Sequence, residues 1–561
     1  MLLAASCYDG GLLGLGRVFP ATDFDGGHAF FVDLLLRGDW GLELHRMAWP
    51  VGSIVRYIGF AMVPLAAPGW LIADISVGYL LGLWLSVGLS AGVATWLLRR
   101  LSGLDAWACG ALALPVALSP FVLGSLAYGQ MAKVQIWLTL LCLAALVALR
   151  PGRHLVGSLV LFAVAAFTSL NSPSVGLSLP FVAGAVVLAQ LPRWRELLGT
   201  NALRLGLTAL ALVPTWLYHR SGFPSPDTLQ MPAPTDPIFA LTPSMRVGPL
   251  GTPTRPLPVA EPVDLLLGLG QRDLADLQIH HVTYLLLPLL GLAIWGLLRA
   301  RDEQQLEPRR LGAGLLLMGA VLSLGPVLAW GPDYVQVGGY LVPLPAMLLE
   351  WLSYPLSESG QYYRLVSLAY IGAALLGALG LASLSVGRAR GLACLLSLLS
   401  LGDAWRSTRT LLPIECTPIP GREVYREMAA DPEPGAVLEL PFFRTLVQSD
   451  RALLRAAMSD RSTSLFPLIV NPDAQKHLLQ LHGDVRDALG SDEAHARLAE
   501  LGLRYVVFDP SIGPLPKDEG DGQRSREAYW MMSRPIQEPE LRRGLGAPTH
   551  EGELLVWRIE R

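Results

Sequence analysis

The chain has 561 residues, of which 52% are hydrophobic and only 16% charged, and its formal net charge is -3. So large an apolar share exceeds what one soluble core of ordinary composition needs and indicates a protein of the lipid bilayer. The balanced charge, without any long basic run, excludes a general attraction to nucleic acid. The cysteines (Cys7, Cys109, Cys142, Cys394 and Cys416) are scattered with no CxxC, which argues against a zinc ribbon, a thioredoxin-type site or a disulfide framework. No charged n-region followed by a small-residue cleavage site marks a removable signal peptide.

The first informative stretch is TDFDGGHAFF, Thr22 to Phe31, in which Asp23, Asp25, a glycine pair and His28 precede an apolar run. Phe30 to Arg46 mixes apolar residues with Asp33, Arg37, Asp39, Glu43 and His45 and reads as a helix in the headgroup region, its charges forming a solvated face. Val51 to Trp70 contains Arg56, Pro64 and Pro68 and reads as a re-entrant or interfacial pair of helices. The alternatives are that this segment crosses, which would reverse the side of Asp25, or that a first helix lies upstream of Met1.

Lipid requires a spanning backbone to satisfy its own hydrogen bonds, and a hydrocarbon core of about 30 Å takes roughly 20 helical residues. Apolar spans run over Leu71–Leu98, Trp107–Leu123, Val134–Leu149, Leu155–Leu170, Val175–Leu191, Leu203–Leu217, Val282–Leu298, Leu311–Trp330, Leu365–Val386 and Gly391–Trp405. Arginine falls in alternate short loops: Arg99 and Arg100, Arg150 and Arg153, Arg193 and Arg195, Arg299 to Arg310, then Arg388 and Arg390. By the positive-inside rule these loops are cytoplasmic. The connections at 124–133, 171–174, 218–281 and 331–364, the segment before Leu71 and everything after Arg406 then face outward. Gly78 with Gly82, and Gly88 with Gly92, are small-xxx-small pairs that let a neighbouring backbone approach.

After Trp405 proline and charge rise and the apolar runs shorten. Ala436–Phe443, Leu503–Pro510 and Glu553–Glu560 read as strands, Arg422–Ala430 and Glu493–Leu501 as helices, and Lys517–Arg526 as a mobile loop. The expected fold is mainly α: a polytopic transmembrane bundle of about 10–12 helices with a small C-terminal α/β extramembrane domain. Its parts are residues 1–70, an outer-face loop with interfacial helices; 71–405, the membrane domain with the long external loop 218–281; and 411–561, the periplasmic α/β domain.

The stretches TDFDGGH, WPVGS (Trp49–Ser53), Ala67–Gly103, LSPFVLGSLAYGQMAKVQIWLTLL (Leu118–Leu141), PLPAMLLEWL (Pro343–Leu352), Gly360–Leu384, VLELPFF and LGLRYVVFDP (Leu501–Pro510) follow one another in a familiar order. This layout, over nearly the whole chain, resembles bacterial multispanning glycosyltransferases of the GT-C superfamily and related YfhO-like membrane proteins. The resemblance implies transfer of a sugar from a polyprenyl-phosphate donor to an acceptor on the outer face, with an acidic residue of the first external loop as base. That position is Asp25, or Asp23 beside it. The chain departs from the family pattern at Gly129–Ala132 and at Gln361–Arg364.

A general base has to reach the acceptor hydroxyl, and a carboxylate serves. Gly26 and Gly27 allow a tight turn that brings His28 back toward Asp25, to orient it, to bind a phosphate oxygen or, with Asp23, to share a divalent ion. The bland alternative is an Asp/Gly turn before a helix. No metal-ligand set is assigned and the cofactor is left unknown, a divalent metal ion being the candidate. A lipid phosphate needs cations at outer headgroup depth, where they are scarce. Lys133 and Arg364 stand at the outer mouths of two spans, and Arg56 is a third candidate; the alternative is that each snorkels to anchor its helix. His280 and His281, near Asp273 and Asp276, fit no strong zinc spacing and read as interfacial. Walker A, HExxH and GxSxG patterns are absent.

The first functional reading is therefore an inner-membrane glycosyltransferase with a periplasmic C-terminal domain. Its partners are a polyprenyl-phosphate-linked sugar, an envelope glycan, lipid or protein acceptor, and membrane lipid, with no nucleic acid. The second, favoured by the departures from the family pattern, is a non-catalytic scaffold for envelope assembly. A lipid or solute transporter ranks last, because charge lies at span ends rather than midway along them.

Overall fold

The computed structural model describes residues 1–9, 25–39, 59–149, 154–214, 284–299, 305–325, 333–346, 362–419, 421–441, 446–464, 472–511 and 536–560, apart from one or two residues at a few points within them, together with some short strands elsewhere. Most of the 218–281 loop and all of 517–526 lie outside the described residues.

Helices α1 (Asp25–Leu36) and α2 (Val63–Ile72) precede the bundle. Every predicted span then carries a helix: α3 (Ile75–Ser102), α4 (Ala106–Ala117) continuing into α5 (Pro120–Ala127), α6 (Met131–Val134) leading into α7 (Ile136–Ala148), α8 (His154–Asn171), α9 (Leu179–Ala189), α10 (Trp194–Leu210), α11 (Leu287–Arg299), α12 (Leu306–Ser323), α13 (Val366–Ala382) and α14 (Val386–Ser407). Among the described residues, α3 is long and apolar enough to cross a membrane alone, and α4 with α5, bent by 48° at Pro120, makes a second candidate span. Other apolar helices are shorter, 10–17 residues.

The described residues divide into two compact units. The first comprises Met1–Cys7, Leu83–Ser221 and Ser225–Ile414; the second Tyr8–Gly82, Gly222–Pro224 and Glu415–Arg561.

In the first unit α13 is the central helix, buried continuously from Val366 to Leu381. Its glycines make this packing work. A Cβ on Gly372 would lie 2.4 Å from the Leu316 backbone nitrogen, and one on Gly319 would lie 2.4 Å from that of Ala369, so α12 and α13 touch backbone to backbone. Gly296 of α11 meets the Leu376 carbonyl just as closely. The outside of the unit is apolar: Trp96, Trp107, Leu155, Leu159, Leu298, Leu317 and Leu398 are all exposed. Small residues inside and large apolar ones outside is the arrangement that helices adopt against hydrocarbon.

Two sets of polar contacts near the helix ends mark this unit. In one, Arg390 grips Asp105 through two hydrogen bonds of 2.8 Å. In the same set Arg204 donates to the carbonyls of Leu146 and Leu149 at 2.9 and 2.7 Å and to Asn201 at 2.7 Å, and it also reaches Gln190, which in turn bonds Glu307. In the other, Asn171 donates to Gln135 at 2.6 Å, Tyr370 donates to the Tyr284 carbonyl, and Tyr284 donates to Asp403. Each of these bonds joins segments that the arginine rule expects on one side of the membrane.

The second unit contains a four-stranded sheet of β1 (Ala436–Leu440), β2 (Leu503–Phe508), β3 (His550–Glu551) and β4 (Leu555–Arg558) in the order β1-β2-β4-β3. Strands β1 and β2 are parallel, with Leu438 opposite Val506; β4 runs antiparallel to β2, with Trp557 opposite Val506. The predicted strands and both predicted helices are present, as α15 (Arg422–Ala430) and α18 (Ala494–Glu500). Further helices are α16 (Leu446–Ser459), α17 (Pro472–Leu489) and α19 (Glu538–Leu545). Leu438, Leu440 and Val506 pack with Val485, Leu498, Leu541 and Trp557 in one core. Both faces of β1 and β2 are covered, so their runs are near-continuously apolar rather than alternating.

The N-terminal segment belongs to this unit. Val18–Pro20 pairs antiparallel with Cys416–Pro418. Gly69 and Gly78 let α2 and the start of α3 pack closely, and Met62 fills the space over Gly82. Of the two expected small-residue pairs only this first one is closely packed; a Cβ on Gly88 would meet Met1 at an ordinary 3.7 Å and one on Gly92 would have nothing within 4 Å. The expected helix over Phe30 to Arg46 is also displaced. The helix is Asp25–Leu36, it ends before Gly38 at φ +88°, and Asp33 is buried rather than on a solvated face. All five cysteines are free thiols.

Candidate functional site

Lys133 sits in the short helix α6, which follows a reversal at Gly129 with φ +61°, a left-handed value that suits glycine. Its side chain is only 6% exposed. Arg364 sits in the 3-10 turn Tyr362–Leu365 that opens the central helix α13. Although 231 positions separate them in sequence, the Arg364 guanidinium acts electrostatically on the Lys133 ammonium. Burial first, and the Arg364 charge second, push Lys133 well below the usual lysine range. The Nε of Arg364 is buried and, among the described residues, has no hydrogen-bond partner. Lys133 is thus held out of water within the electrostatic reach of a second cation, the half-buried Arg364.

Such a pair is unfavourable by itself, because burial removes hydration and each cation raises the cost of the other. A bound anion would reverse both effects. Gln135 follows immediately after α6 and is fixed by Asn171 of α8 at 2.6 Å, both side chains being buried. Sequence reasoning passed over this amide pair. The available signal was an uncharged polar residue at the end of each of two apolar spans that fall on the same side.

Of the acidic cluster, Asp25 is the first residue of α1, with Gly26 and Gly27 in the same first turn. Its side chain, all of Asp23 and all of Arg56 lie outside the described residues. His28 is half-buried in that first turn and makes contacts of its own within the fold. The cations Lys133 and Arg364 belong to the first unit and α1 to the second. Near His280 the backbone forms a short antiparallel pair in which Asp273 lies opposite His280. Among the described residues no group of three or more His, Cys, Asp or Glu side chains is arranged to hold a metal ion.

Sequence reasoning also missed what holds α1. Asp33, 1% exposed, accepts from Trp70 Nε1 at 2.9 Å and from Arg37 Nε at 2.7 Å. Arg37 lies over the Trp70 ring at 5.8 Å and reaches α16 and the residue after it. Charged residues in a mixed segment look alike whether they face headgroups or a neighbouring domain.

No family model matches the chain, and no curated protein matches it. Among solved structures, the chain is similar to the arabinofuranosyltransferase AftD from Mycobacteria with 16% identity and a TM-score of 0.51; the match covers 100% of this chain and 39% of that one, so the chain spans well under half of its length. It is also similar to ArnT from Cupriavidus metallidurans bound to undecaprenyl phosphate, with 11% identity, a TM-score of 0.47 and coverage of 99% and 95%. The oligosaccharyltransferase of Archaeoglobus fulgidus in the apo form gives 11% identity, a TM-score of 0.44 and coverage of 88% and 66%. The match to AftD, which runs over the whole of this chain, together with the helix order and the small α/β sheet, shows that the chain has the fold of the corresponding part of that arabinofuranosyltransferase.

Proposed function

We propose that this protein is a GT-C-type glycosyltransferase of a bacterial inner membrane that moves a sugar from a polyprenyl-phosphate donor to an envelope glycan, lipid or protein acceptor on the periplasmic face. The observation that carries the reading is the buried Lys133 within electrostatic reach of Arg364, whose Nε is buried without a partner among the described residues. Phosphate is the anion that suits it: guanidinium supplies directed N–H donors and ammonium a compact charge, and both compensate the negative charge that grows on the phosphate as it leaves. In the transfer step the bond from the anomeric carbon to the donor phosphate oxygen breaks and its electron pair stays on the phosphate. The acceptor oxygen forms the new bond to that carbon and gives its proton to the carboxylate of Asp25. His28 serves to orient Asp25.

The test is transfer from a panel of radiolabelled polyprenyl-phosphate sugars by purified protein, with binding of unlabelled polyprenyl phosphate measured separately. Asp25→Asn is expected to abolish transfer and keep lipid-phosphate binding, while Arg364→Gln is expected to weaken binding. Full transfer by Asp25→Asn removes Asp25 from the mechanism, and unchanged binding by Arg364→Gln removes the phosphate site.

A further inference from the structure

We infer that Arg37 and Asp460 are positioning residues, forming a clasp between α16 and α1 that fixes the helix headed by Asp25; this rests on the reading of Asp25 as the base. Helix α16 ends at Ser459, and the next residue, Asp460, has φ +54°. That is the left-handed conformation in which glycine is favoured after a helix, since it has no Cβ to strain. Here a carboxylate occupies it instead. Asp460 Oδ1 lies 2.8 Å from Arg37 Nη1 and 3.0 Å from Arg46 Nη2. Arg37 also donates to the Ala457 carbonyl of α16 at 3.4 Å and to Asp33 of α1 at 2.7 Å. The Arg46 carbonyl accepts from Thr463 N at 2.8 Å, so the same N-terminal segment is tied on both sides of Asp460.

Asp460 is 53% exposed on its side chain, and half-exposed ion pairs contribute little to stability. A residue chosen for stability alone at this φ would be glycine. What the carboxylate adds is direction. The buried face of α1 is Ala29, Phe30, Val32, Leu34 and Leu35, an apolar surface that resists separation far better than it resists sliding or rotation. The directed bonds at its C-terminal end fix that register. A helix of this length is rigid, rising about 1.5 Å per residue, so a shift at Arg37 is carried along the axis to Asp25, where about 1 Å of misplacement costs on the order of a hundredfold in rate.

The experiment compares Asp460→Gly and Asp460→Asn with the wild-type chain in the radiolabelled transfer assay, alongside thermal unfolding and hydrogen exchange of the α1 amides. Asp460→Gly relieves the backbone strain and removes the clasp; Asp460→Asn removes the charge alone. Both are expected to lower kcat about tenfold or more with donor KM unchanged, to speed exchange in α1, and to leave the unfolding midpoint level or, for Asp460→Gly, raised. Wild-type kcat and α1 exchange in both variants overturn the clasp, and so does a kcat loss that follows a fall in unfolding midpoint. Asp25→Asn, measured in parallel, separates the two ideas. If it transfers at full rate, the base assignment fails whatever Asp460 does; if it is inactive while both Asp460 variants keep kcat, the clasp alone fails.

Discussion

Replacing Lys133 by methionine should stabilise the protein and disable it together. Lys133 is 6% exposed and sits within the electrostatic reach of Arg364, so its ammonium is both dehydrated and repelled. Methionine has similar length and volume, fits the same space and carries no charge. Replacing buried ionic groups by apolar residues of matching volume is often stabilising by about 1–4 kcal/mol, and relief of one burial penalty and one like-charge contact belongs in that range. The functional effect has the opposite sign. A hydrogen bond to a charged group is worth about 1.5–3 kcal/mol, which at about 1.4 kcal/mol per decade is a 10- to 100-fold loss of affinity for polyprenyl phosphate. The assay pairs unfolding midpoints of detergent-purified protein, with and without added lipid phosphate, with direct binding. Lys133→Met should unfold later than wild type without lipid and gain less from adding it. A lowered midpoint without lipid would make Lys133 a structural residue, and undiminished binding would refute the phosphate reading.

Arg204→Met should cost about 3–5 kcal/mol, because the change leaves the Leu146 and Leu149 carbonyls and the Asn201 and Gln190 amides without their donor; unfolding midpoints and folded yield read this, and Arg204→Lys should recover little, lacking the guanidinium fork. Gly372→Ala should cost about 1–3 kcal/mol, since its Cβ would meet the Leu316 nitrogen at 2.4 Å, whereas Gly92→Ala, with nothing within 4 Å, should gain up to about 1 kcal/mol in the same unfolding assay. Phosphate binding should take up a proton at Lys133: its pKa lies well below the ordinary value in the free protein and rises beside an anion, so at pH values between the two the free amine becomes ammonium on binding. Affinity should then fall as pH rises through the bound-state pKa; calorimetry in two buffers of different ionisation enthalpy measures the uptake, and Lys133→Met should abolish it.

The helices of the first unit were legible because a long apolar run without turn residues is readily helical, and each run marked in the sequence carries one. The strands Ala436–Leu440 and Leu503–Phe508 were legible for a related reason, being short apolar runs bounded by turn residues. Which glycines pack was not legible. Gly88 and Gly92 carry the same spacing as Gly78 and Gly82, yet only the latter pair is closely packed by another segment, because spacing describes one helix and contact requires two. The tightest approaches, at Gly296, Gly319 and Gly372, depend on which helices surround α13, a fact of three-dimensional order.

The same contrast governs the charges. In the apolar bundle a cation is expensive wherever it is placed, so Lys133 and Arg364 stood out as scarce residues at span ends, and their positions carried most of the information about the candidate site. In the second unit charges are common and each has many potential partners. Asp431 takes Tyr505 at 2.5 Å, Arg504 at 3.1 Å and Arg558 at 3.2 Å, a set drawn from two strands that no local pattern links. Asp33 met Arg37 four residues along its own chain, which helical spacing allows, but Arg37 then met Ala457, 420 positions away. What decides such pairings is tertiary order: the Val18–Pro20 pairing with Cys416–Pro418 and the packing of α1 on α16 bring the first part of the chain against the last, and a fold of that order has to exist before the charges can choose. It follows that charge-reversal pairs exchanging Arg37 and Asp460 test the architecture of the second unit itself, whereas substitutions at Lys133 test a site whose position was already written into the scarcity of its charge.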